Sequence, residues 1–139
     1  IEDAIDAMEW GKSLGGLKAM QARADANFKV LADWVAKTDW VDFLARNPAN
    51  RSNTSVCLSI VDPAVTALAA DQQAAFAKAI VARLDKAGVA YDIGAYKDAP
   101  SGLRIWAGST VEASDLAALT PWLDYAFAEE LAALNKAAA

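Results

Sequence analysis

The sequence predicts an α+β fold: a small, mostly antiparallel sheet with helices packed on one face. Three observations carry that expectation. Apolar residues recur at three- and four-residue spacing in several long segments, the period of a helix with one buried stripe. Val56, Leu58 and Ile60 alternate with Ser55, Cys57 and Ser59, which is the period of a strand with one apolar face. The resulting order is helix, helix, strand, strand, helix, strand, strand, helix. It sets strands too short to bury themselves among helices long enough to cover them.

Each element has its own signal. Ile1, Ile5 and Met8 already fall at helical spacing, so the first helix begins in mid-pattern and without a Met, and a piece of a longer chain is expected. Gly15 and Gly16 end that helix. Leu17, Met20, Ala24, Phe28, Leu31 and Val35 then mark one face of a helix over about residues 17–37. Trp40, Val41, Phe43 and Leu44 predict a short strand, and RNPANRSN after it is turn chemistry. The strand at Val56 ends at Asp62-Pro63. Asp71 is the expected N-cap of a helix carrying Phe76, Ile80, Val81 and Leu84, which Gly88 stops after Lys86 in the last turn. VAYDIG reads as a strand ended by Gly94, and residues 102–107 as another. Ser114 is expected to cap a helical turn, and Thr120-Pro121 to restart the helix with Pro at its favoured first position. Leu123, Phe127, Leu131 and Leu134 form its buried face, and the terminal NKAAA is expected to fray.

Composition narrows the function classes. With 139 residues the chain has one domain's worth of length, and its hydrophobic fraction of 55% suffices for a core. Net charge is −5 and no two basic residues adjoin, which argues against nucleic acid or an anionic membrane as partner. There is no His, hence neither the commonest general base nor the commonest metal ligand, and no metal site is expected. The single Cys57 excludes an internal disulfide and the usual zinc sites. No apolar run approaches a membrane span and no secretory signal is evident, so a cytoplasmic setting is expected. Five Trp residues (10, 34, 40, 106 and 122) are many for this length, and some should sit on a surface covered in the native assembly.

One residue stands out chemically. Arg104 lies among Leu103, Ile105 and Trp106, in a strand that otherwise asks for burial. A strand arginine can simply rest its stem on apolar neighbours and reach water. Its planar fork can also grip a carboxylate at two points, with Trp106 on the same strand face as a wall. Arg51 reads as a loop arginine, or else as a second anion contact or an interface residue. Lys97, on the loop before the strand, reads as a solvated charge or a point charge for a phosphate. GKSLGG lacks the spacing of a phosphate loop. Glu129 and Glu130 read as a solvated helix face, and Cys57 as a small packing residue. These residues do not form a catalytic set.

The stretches GGLKAM, RSNTSVCL and GLRIWAGSTVEASDLAALTPWL carry a resemblance that extends from Glu2 to about Glu129. They resemble the C-terminal part of the phosphoserine aminotransferase family, in the form found in many proteobacteria and some archaea. The resemblance implies a fold type I enzyme dependent on pyridoxal 5'-phosphate. Such enzymes interconvert 3-phosphohydroxypyruvate plus glutamate with phosphoserine plus 2-oxoglutarate in serine biosynthesis, as homodimers. It implies that the cofactor is held through a lysine of a preceding large domain, and that the C-terminal small domain closes over the site. The arginine of the family's GLR strand binds the substrate α-carboxylate and falls at Arg104. Lys97 is the nearest base for the substrate phosphate, and Arg51 a more distant one. Residues 1–139 are then the small domain alone. They contain no catalytic or cofactor-binding residue, are inactive in isolation, and leave apolar surface such as Trp10 or Trp34 uncovered. Two other readings stay open. One is the small domain of an alanine–glyoxylate or serine–glyoxylate aminotransferase of class V. The other is a non-catalytic α+β ligand-binding module.

Overall fold

The structure is a computed structural model, described for residues 1–137. Its elements are α1 (Glu2–Ser13), α2 (Leu17–Val35), β1 (Val41–Phe43), β2 (Ser55–Ile60), α3 (Pro63–Thr66), α4 (Ala70–Lys86), β3 (Leu103–Trp106) and α5 (Ala113–Ala137). The strands form one sheet in the order β1-β2-β3, antiparallel throughout. Val41 and Phe43, Val56 and Leu58, and Leu103 and Ile105 are all buried. The alternate positions Asp42, Cys57, Ser59, Arg104 and Trp106 are not. One sheet face is thus covered and the other open, which is the predicted α+β layer.

The covered face meets Leu31 and Val35 of α2, Ile80 and Leu84 of α4, and Leu116, Leu123 and Phe127 of α5. An aromatic column runs through the junction. Trp40 stacks on Phe127 with ring centroids 4.4 Å apart, and Phe76 meets Phe127 edge-on at 5.8 Å. Asp124 accepts the Nε1–H of Trp40 at 2.9 Å and that of Trp34 at 3.1 Å. The turn between α1 and α2 depends on Gly15 and Gly16, whose φ of 108° and 74° lies where glycine alone carries no steric cost. Among the described residues, no helix is long and apolar enough to cross a membrane.

Several local expectations need correction. VAYDIG is not a strand. Asp92 takes a left-handed φ of 53°, so the side chains cannot alternate. The segment keeps an isolated bridge from Gly94 to Leu103, and the Arg104 N–H donates to the Ile93 carbonyl at 2.8 Å. Helix α4 begins before Asp71, with Ala69 at the N-cap, and the Gln72 carboxamide accepts the Ala69 N–H at 3.2 Å. Asp62 ends β2 as expected but also caps the short α3, accepting the Ala64 N–H at 2.8 Å. Leu17 opens the α2 stripe in the sequence yet is 70% exposed, so the buried face begins further along. Glu129 and Glu130 are not merely solvated. Glu130 accepts from Arg83 Nε at 2.7 Å and Glu129 lies 3.6 Å from Arg83 Nη1, tying α4 to α5. The Glu130 hydrogen bond raises the Arg83 pKa above its ordinary value, opposed by burial and reinforced by the charges of both glutamates.

Pro121 does not restart a helix, and neither does Ser114 cap one. Helix α5 starts at Ala113 and runs unbroken past Pro121 to Ala137. A proline there leaves the Ala117 carbonyl without its helical donor. The Thr120 hydroxyl supplies one, donating to Ala117 O at 3.2 Å. Thr120→Val should therefore cost about 0.5–1 kcal/mol in urea denaturation. The cost should vanish in a Pro121→Ala background, where the amide N–H returns; an equal cost in both backgrounds would refute the substitution of donors. The expected fraying of NKAAA meets a helix that includes Asn135 and Lys136, and its last two residues lie outside the described residues.

Uncovered apolar surface is present where α1 was expected to leave it. Ile5, Met8 and Trp10 are exposed. Trp34 is not among them, because it is half-buried against Trp40 and Asp124.

Candidate functional site

Arg104 sits in mid-strand on β3, opposite Cys57 of β2. Leu103 and Ile105 face the core, so the pleat sends Arg104 and Trp106 to the open sheet face. Placement on a paired strand fixes the Cα and leaves only the side chain to move. The guanidinium is half-buried, its side chain 31% exposed. It lines a cleft of about 580 Å³ between residues 89–93, β3 and the start of α5. The cleft is amphipathic. Ser55, Tyr91, Asp92 and Asp115 supply polar groups, while Ile93, Trp106, Val111 and Leu119 supply apolar walls. Within it Arg104 Nη2 donates to Asp92 Oδ2 at 3.2 Å.

The wall on the far side is held by α2. Trp106 is 56% exposed, its indole lying over Gly108, where a Cβ would overlap the ring. Its Nε1–H donates to Thr110 Oγ1 at 3.2 Å. The turn under the indole is clamped by Asn27, a polar side chain only 2% exposed. Asn27 Nδ2 donates to the carbonyls of Ala107, Gly108 and Val111 at 3.2, 3.0 and 2.8 Å. Arg23 adds a bond from Nε to Ser109 O at 2.9 Å and an ion pair to Glu112. At the near end, Gly102 passes so close to β2 that a Cβ would overlap the Leu58 carbonyl oxygen. Glycine at that position lets β3 start in register.

The other candidates lie elsewhere. Lys97 is exposed and lines a second cleft with Lys78, Val81, Tyr96 and Gly102, which shares no lining residue with the Arg104 cleft. The structure therefore does not bring Lys97 and Arg104 into one cavity. Arg51 braces its own loop: Nε donates to Ala45 O at 3.0 Å, and the guanidinium lies 4.1 Å from the Phe43 ring centroid. Cys57 is half-buried on the open face, its thiol 3.8 Å from Ser55 O. Glycines 15 and 16 of GKSLGG form the turn between α1 and α2. Asp92, Asp115 and Asn27 were not found from sequence. Asn27 had a signal, a polar residue on the helix stripe between Ala24 and Leu31. Asp92 had none, because its pairing depends on the path of an irregular segment.

All eight lysines are exposed, and none lines the Arg104 cleft. A lysine that holds an aldehyde cofactor must face an enclosed site, so the described residues do not fit pyridoxal phosphate and no step is derived through it. Among the described residues, no cluster of His, Cys, Asp and Glu could hold a metal ion.

Comparison with known proteins adds three findings. No family model matches the chain. The chain is 42% identical over 126 residues to a phosphoserine aminotransferase of Methanosarcina barkeri, and 40% identical over 126 residues to that of Methanosarcina mazei. Each match takes in 91% of this chain but 31% of the relative, so the chain spans about a third of these curated relatives. Among solved structures, the phosphoserine aminotransferase from Bacillus circulans subsp. alkalophilus superposes with a TM-score of 0.68 at 14% identity, covering 87% of this chain and 30% of that one. A second phosphoserine aminotransferase structure gives 0.67 at 15% identity, covering 87% and 30%. These structures share the fold.

Proposed function

We propose that this chain, a homologue of the phosphoserine aminotransferases over 91% of its length, serves as the small, C-terminal domain of such an enzyme. In that role Arg104 binds the α-carboxylate common to glutamate, phosphoserine and their keto acids. Transfer of the amino group is completed with pyridoxal phosphate held by chain outside these 139 residues, in a homodimer. The phosphorylated substrate is favoured over the glyoxylate-type alternatives by the names of both curated relatives. Residues 1–139 alone should not transaminate, since their lysines face solvent.

The observation that carries this reading is the placement of Arg104. An unvarying cation with a planar pair of donors stands on a rigid strand, in an amphipathic cleft large enough for an amino acid. A lysine could keep the charge but not the two-point grip. Lys97 is offered for the phosphate on charge and proximity in sequence. A ligand held by both would have to lie along the Gly102–Arg104 edge, because the two residues line separate clefts.

Arg104→Lys in the full-length enzyme should weaken glutamate binding by about 1–3 kcal/mol, the scale of a charge-assisted hydrogen bond. A steady-state Michaelis constant for glutamate equal to that of the parent enzyme would remove the assigned role.

A further inference from the structure

We propose that Asp92 is a built-in competitor for the carboxylate site, an internal carboxylate that rests on Arg104 until a ligand displaces it. The inference depends on Arg104 being a carboxylate clamp. It names the residue that sets how much of the clamp's affinity a ligand receives.

Asp92 is presented to Arg104 by the backbone. Among the described residues it is the one non-glycine with a positive φ, at 53°. Aspartate tolerates that conformation better than most residues. The two residues after it are fastened to β3: Ile93 O accepts the Arg104 N–H at 2.8 Å, and Gly94 bridges Leu103. The same strand residue is thus bound twice, by its amide to Ile93 and by its guanidinium to Asp92. This places the acid on the cation by construction, without relying on a long, floppy side chain.

The grip itself is slight. The contact is one Nη2 to one Oδ2 at 3.2 Å, with the Asp92 side chain 91% exposed against 31% for Arg104. The cation is the fixed, half-buried partner and the anion is the one surrounded by water. A single-point, solvent-screened pair of this kind is weak. A ligand carboxylate that engages two guanidinium N–H groups makes the stronger arrangement. The chemical group displaced and the group bound are the same. Apparent affinity is then the intrinsic affinity reduced by the fraction of chains whose clamp is open.

The test uses the full-length enzyme that contains these 139 residues, with its Michaelis constant for L-glutamate measured at constant ionic strength. The comparison is with Asp92→Asn and Asp92→Gly, both of which accept positive φ and so keep the segment's path. Binding should tighten by about two- to fivefold in both variants, the range that an exposed ion pair can withhold, and by at least as much with Gly as with Asn. Equal or weaker binding in the variants overturns the proposal, because Asp92 would then be idle or would orient the guanidinium. If Arg104→Lys leaves the glutamate Michaelis constant of the full-length enzyme unchanged, the clamp falls and the competitor with it. If Arg104→Lys raises that constant while the parent and both Asp92 variants share one value, the competitor alone is removed.

Discussion

Trp40→Ala is expected to lower folding stability by about 3–5 kcal/mol, the range for deleting a buried large aromatic. The effect would be read as a fall in the urea midpoint with little change in slope. Trp40 is 7% exposed and stands where α2, the sheet and α5 meet. Its ring lies flat on Phe127, 5° from parallel, and meets Trp34 edge-on at 5.6 Å. Its Nε1–H also satisfies Asp124 at 2.9 Å. Truncation therefore opens a cavity, removes two aromatic contacts and takes one donor from a carboxylate. Trp40→Phe separates these effects. It retains the stacking surface and loses the donor, while Trp34 still serves Asp124, so its cost should be about 1 kcal/mol. If alanine and phenylalanine cost the same, the stack on Phe127 contributes nothing to stability.

The second large effect belongs to Asn27. Asn27→Leu should destabilise by on the order of 3 kcal/mol, although it places an apolar residue in an apolar setting. The reason is what the amide leaves behind. Ala107, Gly108 and Val111 turn their carbonyls toward Nδ2. Gly108 O retains the Val111 N–H at 3.1 Å. The other two lose a donor in a site that water does not reach freely, at about 1–3 kcal/mol each. Asn27→Asp should be at least as damaging, since it turns acceptors against acceptors. The loss should also reach Trp106, whose indole rests on the same turn. Its fluorescence is best isolated by difference against a Trp106→Phe chain, and should shift toward that of a freely solvated indole. Retained stability in Asn27→Leu would mean that the turn finds other donors.

The parts of the fold that were legible in the sequence are those whose periodicity is carried by local chemistry. Val56, Leu58 and Ile60 announce β2 because alternation has no other simple source, and Phe76, Ile80 and Leu84 announce α4 in the same way. Arg104 was legible as an oddity, a permanent charge in an apolar strand. What escaped depends on partners distant in sequence. Leu17 matches the stripe of α2 but lies beyond the reach of the sheet, so periodicity alone could not show it exposed. Pro121 reads as a boundary unless one asks which donor can replace its missing N–H, and the answer sits one residue earlier. VAYDIG has the apolar content of a strand, yet Asp92 breaks the alternation with a left-handed conformation that leaves no trace in composition. The Arg104 cleft was half visible: the cation and Trp106 could be named, and the acid facing them could not.

The irregular segment beside β3 has a bearing on how the chain behaves in a crowded solution. A sheet border with unsatisfied amides invites strand addition from another molecule, the usual route to aggregation. Ile93 and Gly94 already occupy part of that border on β3, with a backbone too bent at Asp92 to serve as a template in its turn. The opposite border, β1, runs for three residues and carries the acidic Asp42 at its middle. Both flanks of the sheet are thereby poor seeds for a cross-β stack.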